Sequence, residues 1–114
     1  AGDVPGVEEV EAPIKMRKGP SLTVTDYGLI THPKVLRWFI DSAEESKVPY
    51  QLETGLSGTT DAARIALTRE GVPSGVISIP TRYIHSSVSL LSLSDLENTV
   101  KLTVTAINNV QKYF

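Results

Sequence analysis

The chain contains no cysteine, which excludes disulfides and thiolate metal sites. That absence fits a cytoplasmic protein, and a cytoplasmic location is expected. Aromatic residues are scarce, at 6%, and are not interleaved with a basic stripe of the kind that binds nucleic acid. Neither sign of charge dominates: 11 Lys and Arg face 13 Asp and Glu, for a net charge of -2, so no electrostatic footprint for nucleic acid or an anionic membrane is present. No apolar run is long enough to span a bilayer, and the start at Ala1 has none of the regions of a signal peptide. No nucleic-acid partner and no membrane partner are expected. A nucleophile motif, a P-loop, a dinucleotide fingerprint, internal repeats and low-complexity tracts are all missing.

What remains is an ordinary globular composition, 40% hydrophobic over 114 residues, sufficient for one compact unit. Residues 1–20 read as an irregular lead-in, because Pro5, Gly6, Pro13, Gly19 and Pro20 separate acidic Glu8, Glu9 and Glu11 from basic Lys15, Arg17 and Lys18. Leu22-Thr23-Val24-Thr25 alternates as a strand does. Pro33 suits a first helical turn, and Val35, Leu36, Phe39, Ile40 and Ala43 follow at helical spacing, predicting a helix from about Pro33 to Ser46. Pro49 stops it, and Tyr50-Gln51-Leu52-Glu53-Thr54 returns to strand character.

Gly55, Ser57 and Gly58 then loosen the backbone ahead of a second helix, capped by Thr60 or Thr59, with Ala62, Ile65 and Ala66 on its buried face and Gly71 and Pro73 ending it. Val76-Ile77-Ser78-Ile79 reads as a strand covered on both faces. A last helix opens with the capping-box spelling Ser94-Asp95-Leu96-Glu97 and runs through Val100, Val104 and Ile107 toward Phe114. The order strand, helix, strand, helix, strand, helix implies an α/β fold with a mostly parallel sheet flanked by helices.

The most informative stretch is Ile77-Ser78-Ile79-Pro80-Thr81-Arg82-Tyr83-Ile84-His85-Ser86, where an apolar strand ends and delivers a histidine into a polar loop. Ligand sites in open α/β sheets form beyond the carboxyl ends of the strands, so His85 is the leading candidate functional residue. A neutral imidazole is a common zinc ligand, and Arg82 and Tyr83 could anchor the turn that aims it. From spacing alone a lone loop histidine is more commonly a hydrogen-bonding group than a ligand. His32, just before Pro33, has no acidic or histidine partner at ligand spacing and reads as a helix-entry residue. Glu44-Glu45 and Glu8-Glu9 could serve acid/base work but read as surface charges.

The His85 segment resembles the last metal-ligand segment of the tetrahedral or deblocking aminopeptidases, a family of dinuclear zinc peptidases. Ala1-Gly2-Asp3-Val4-Pro5-Gly6, Lys18-Gly19-Pro20, His32-Pro33, Pro49-Tyr50-Gln51, Thr60-Asp61-Ala62 and Gly71-Val72-Pro73 occur in that family's order too. The resemblance implies that the chain is the carboxy-terminal part of a zinc-peptidase catalytic domain, a single α/β segment over 1–114. It implies metal ligation by His85 at one of two zinc ions, with cobalt or manganese as substitutes. The other ligands, a histidine, two aspartates and a glutamate, have no matching positions here. No residue of the chain is expected to be catalytic in the strict sense.

Gly58-Thr59-Thr60-Asp61-Ala62 is similar to the family's G-G-T-D-A loop, which implies substrate binding by Gly58, Thr60 and Asp61. Thr59 stands where the family has glycine, implying a differently shaped specificity pocket. Read without the resemblance, Thr60 and Asp61 are more simply helix caps, and the two roles can coexist. The implied function is removal of amino-terminal residues from peptides, within a homo-oligomer that in the family reaches a twelve-subunit tetrahedral assembly. Two alternatives from other classes are a catalytically inactive interaction or scaffold module, and a glycoside hydrolase, since some relatives carry an endoglucanase name. The latter needs two carboxylates facing one sugar.

Overall fold

The computed structural model of the chain describes residues 1, 3–7, 13–55 and 58–114. Gly2, Glu8, Glu9, Glu11 and Ser57, which entered the sequence reading, lie outside the described residues. Among its described residues the lead-in reaches Pro20 without a regular element, and the first strand, β1, is Ser21–Thr23. It is displaced from the expected Leu22–Thr25, because Thr25 turns away to bridge Ile30.

Helix α1 spans Pro33–Glu45, and its apolar positions explain why it sits where it does: Val35, Phe39 and Ala43 are buried on one face. His32 is its N-cap, with the imidazole Nδ1 accepting from the Lys34 backbone N–H at 3.2 Å. Strand β2, Gln51–Glu53, returns beside β1 in parallel register, Leu22 opposite Leu52. The third strand, β3 at Ile77–Ser78, pairs with the other edge of β1 but runs antiparallel to it. The sheet order is therefore β2-β1-β3, an α/β arrangement parallel over three residue pairs and antiparallel over two.

The second helix is shorter than the sequence suggests. Helix α2 covers only Ala62–Ile65, and Asp61 rather than Thr60 or Thr59 occupies the N-cap, already in helical conformation and without a side-chain cap bond. The Ala63 amide takes the Thr60 carbonyl instead of a hydroxyl, so capping side chains are not needed. Ile65 is exposed, contrary to the expected buried face, while Ala62 and Ala66 are half-buried. A hairpin unforeseen in the sequence follows β3: strands β4, Thr81–Arg82, and β5, Leu90–Leu91, pair antiparallel around the loop that carries His85.

Helix α3, Leu93–Asn109, buries a different face from the one marked by Val100, Val104 and Ile107. Its N-cap is Ser92, two residues before the Ser94 of the capping box, and the Ser92 hydroxyl bonds the Ser94 hydroxyl rather than a backbone amide. Its buried side chains are Asp95, Leu102, Ala106 and Asn109, whereas Val100, Val104 and Ile107 are exposed. Asp95 explains the rotation. Its carboxylate accepts from the Arg17 amide at 2.7 Å and the Gly19 amide at 3.0 Å, clamping the turn before β1. That turn also needs a glycine: Gly19 has φ +87°, and a Cβ there would stand 1.8 Å from the Pro49 carbonyl oxygen.

The core forms where both long helices meet the sheet. Leu22, fully buried in the central strand, touches a cluster of Val35, Phe39, Ala43, Val48, Leu102 and Ala106. α1 packs on β1 and α3 on β3, with the two helices in mutual contact. The Trp38 indole N–H donates to the Ala106 carbonyl at 2.8 Å, and the Asn109 amide donates to Glu45 at 2.7 Å, which locks the helix pair at both levels. Among the described residues no helix is long and apolar enough to cross a membrane.

Replacing Asp95 with Ala should be costly, because two backbone N–H groups, one of them buried, lose their acceptor. We expect a loss of about 2–4 kcal/mol, summing the penalties of two unsatisfied donors. Urea unfolding checks it: a shift in midpoint no larger than for an exposed control such as Glu97→Ala would show the clamp to be dispensable.

Candidate functional site

A cleft of about 350 Å³ opens beyond the carboxyl ends of the parallel pair β1 and β2. His85, Gly58 and Thr60 line it together, and so do Thr59, Glu53 and Asp26. Three of the four residues singled out from the sequence as site residues therefore converge. Asp61 does not line the cleft; it stands exposed at the start of α2.

Each wall has a local cause. Asp26 ends the segment leaving β1 in a turn, its Oδ1 accepting from the Gly28 and Leu29 amides, both at 2.8 Å. Gly58 is tied to this turn, since the Tyr27 N–H donates to the Gly58 carbonyl at 2.9 Å. Thr59, the residue that departs from the G-G-T-D-A pattern, fills the space over Gly28, where a Cβ would lie 2.3 Å from the threonine hydroxyl. Glu53 closes β2, and one of its oxygens accepts from the Ser21 hydroxyl at 2.9 Å.

His85 reaches the cleft from the β4–β5 loop. Both His85 and Tyr83 are left-handed, with φ of 59° and 60°, a conformation that non-glycine residues hold only when the surroundings impose it. The surroundings do so here. The Tyr83 carbonyl accepts from the Ser86 and Ser89 hydroxyls, which closes the loop on itself. At the base of the hairpin the Arg82 guanidinium grips Asp3 with two bonds, Nε to Oδ1 at 3.1 Å and Nη2 to Oδ2 at 2.7 Å. The Met16 amide also donates to Asp3, so the lead-in and the hairpin are one unit.

The Arg82 hydrogen bonds hold the Asp3 carboxyl down at about 2, against an ordinary 3.8, and the Arg82 pKa is raised in return. The folded pKa lies below the unfolded one, so the stability this pair contributes is fully present above pH 4 or so and is lost as pH falls through about 2. Acid unfolding of the protein and of its Asp3→Asn variant should therefore differ at neutral pH and converge at the acid end. A gap between the two that stays constant from pH 5 to pH 2 would show that the pair contributes no pH dependence.

Imidazole is a suitable zinc donor, and His85 is exposed on the cleft side, so the residue type and its placement fit a metal. The set is incomplete: among the described residues no group of three or more His, Asp or Glu side chains could hold a metal ion. Glu53 and Asp26 are the cleft residues that sequence reasoning missed. Their signal was positional, since Glu53 is the last residue of β2 and Asp26 lies three residues beyond the end of β1, and the carboxyl ends of strands define such crevices.

The chain belongs to the M42 glutamyl aminopeptidase family, whose profile matches residues 1–102. It is 39% identical over 89 residues to the lysyl aminopeptidase of Pyrococcus furiosus, covering 77% of this chain and 25% of that protein. A TET aminopeptidase from a marine-sediment Thaumarchaeota archaeon superposes with a TM-score of 0.89 at 43% identity, covering all of this chain and 33% of that one. The TET1 peptidase of Pyrococcus horikoshii, which can assemble into a tetrahedron or a large octahedral shell, superposes with a TM-score of 0.73 at 29% identity, over 88% of this chain and 29% of that one. The chain thus spans between a quarter and a third of the length of these relatives.

Proposed function

We infer that the chain is the carboxy-terminal segment, a single α/β unit over 1–114, of the catalytic domain of a metal-dependent cytoplasmic aminopeptidase that removes amino-terminal residues from peptides. The observation that supports this reading is the convergence of His85, Gly58 and Thr60 on one cleft beyond the strand ends, in a chain of the M42 family. His85 is assigned as a ligand to one of two zinc ions, with cobalt or manganese able to replace them. Bound there, such metals supply Lewis acidity and a water of lowered pKa.

The chain's own residues do the positioning. The Arg82–Asp3 pair and the serine-closed loop hold the His85 imidazole toward the cleft. Gly58 and Thr60 form the wall that receives the peptide, and Thr59 narrows it on the Gly28 side. Asp61 supports that wall through α2 and is read as an indirect contributor to substrate binding. The intact protein is assigned to a homo-oligomer, of twelve subunits if it follows its tetrahedral relatives.

The endoglucanase reading gains one observation, because Asp26 and Glu53 face the same cleft. Each has an oxygen committed to a structural hydrogen bond, which argues against free acid/base roles. Parallel assays of the intact protein on aminoacyl anilides and on cellulosic substrates separate the two. Metal-dependent release of the anilide is expected; sugar release without it would overturn the peptidase reading.

A further inference from the structure

The cleft that holds His85 carries side-chain charge of one sign. Its lining includes two carboxylates, Asp26 and Glu53, and no lysine or arginine. Neither carboxylate belongs to an ion pair with Lys or Arg among the described residues. The whole chain is close to electrical balance, at -2, so the imbalance is local to the cleft. A concave surface lined by one sign of charge focuses its field and raises the local concentration of the opposite charge.

The carboxylates are held in place. Glu53 is half-buried at the end of β2, and its Oε2 accepts at 2.9 Å from the hydroxyl of Ser21, a residue 2% exposed in the central strand. Its Oε1 accepts from no described residue. Asp26 commits Oδ1 to the Gly28 and Leu29 amides, while its Oδ2 is buried and has no hydrogen-bond partner among the described residues. Burying a carboxylate oxygen without a donor is costly, and a cation brought in by a ligand offsets that cost.

A cation already stands in the cleft. The Ala1 ammonium is part of its lining; burial pushes the pKa of that group down, while Asp3 and Glu53 push it back up. Ile14, Ile79 and Ile84 line the same space with aliphatic surface. Held carboxylates among aliphatic walls match a long side chain that is apolar along its stem and positive at its tip.

We propose that the cleft selects peptides whose amino-terminal residue is lysine or arginine, with Glu53 receiving the cationic tip and Asp26 adding to the field around it. This rests on the peptidase reading: a peptide whose reacting end is held at His85 has the rest of the same cleft for its first side chain. Glu53 is thereby a specificity residue and takes no part in the bond cleavage. A glutamyl side chain meets repulsion there, and a leucyl one leaves the carboxylates unpaired.

Anilides of lysine, arginine, leucine and glutamate test this on the metal-loaded intact protein and its Glu53→Gln variant. Glutamine keeps the shape and an oxygen for the Ser21 hydroxyl, so the substitution removes charge alone. In the unsubstituted protein kcat/KM should be at least about tenfold higher for the lysyl and arginyl anilides than for the leucyl one, and lowest for the glutamyl one, as a charge-assisted hydrogen bond in a specificity pocket requires. Glu53→Gln should lower the lysyl-to-leucyl ratio at least about tenfold, chiefly through the KM of the lysyl substrate, and raise the glutamyl-to-leucyl ratio. Asp26→Asn, which keeps Oδ1 for its turn, should move both ratios the same way by a smaller factor and serves should Glu53→Gln fold poorly.

Leucyl hydrolysis as fast as lysyl in the unsubstituted protein would overturn the proposal. So would a Glu53→Gln variant that slows all four anilides by one factor, since that outcome places the carboxylate on the amino terminus common to every substrate. Both results leave the peptidase reading standing, whereas absence of turnover on every anilide would remove that reading and this one with it.

Discussion

No aminopeptidase turnover is expected from the 114-residue chain purified alone, with or without added zinc or cobalt. Two-metal hydrolysis needs a closed set of donors around both ions and a general base within reach of the water they activate. The cleft offers one imidazole, His85, and among the described residues no three-donor cluster stands around it. The two cleft carboxylates do not complete the set, as Glu53 holds Ser21 and Asp26 holds its own turn. Metal binding should accordingly be weak, in contrast to sites with three or four protein ligands. Calorimetric titration with zinc and an assay on leucyl, lysyl and glutamyl anilides check both statements on mass-verified material. Metal-dependent hydrolysis would sink the fragment reading and point to Asp26 and Glu53 as ligands.

In the intact protein, His85→Ala should lower kcat by about a hundredfold or more while KM changes little. Lewis-acid polarisation acts mainly on the charge that develops in the transition state and is worth several kcal/mol there, so removing a ligand costs turnover more than ground-state binding. The wall formed by Gly58 and Thr60 is untouched by the substitution and should still receive the peptide. Metal content should fall in parallel, measured by elemental analysis after gel filtration.

His32→Ala is the matched control. His32 caps α1 through the Lys34 amide, so its loss should cost on the order of 1 kcal/mol in stability and leave metal content alone. Full metal stoichiometry with near-normal turnover in the His85 variant would return that residue to an ordinary loop histidine.

Much of this architecture could be read from residue order. Proline at positions 33 and 49 bounded α1, and the spacing of Val35, Phe39 and Ala43 identified its buried face, because helical periodicity and the missing proline N–H act locally. The polar loop after β3 marked His85, and its neighbours Gly58 and Thr60 were legible as a loop at a helix start.

Other features depended on contacts between residues far apart in the chain. Hydrophobic spacing picked out Val100, Val104 and Ile107 along α3, yet the helix faces the core with Leu102 and Ala106 beside Asp95 and Asn109, since the amides of Arg17 and Gly19 needed a buried acceptor and Glu45 a donor. An apolar stripe tells which residues avoid water but not which of two apolar faces meets this sheet. The antiparallel run of β3 and the β4–β5 hairpin were likewise decided by pairing partners, for which strands two or three residues long carry almost no local signal. The same holds for the cleft. Asp26 and Glu53, which lie 27 positions apart, share it only because β1 and β2 pair in parallel and bring their carboxyl ends side by side.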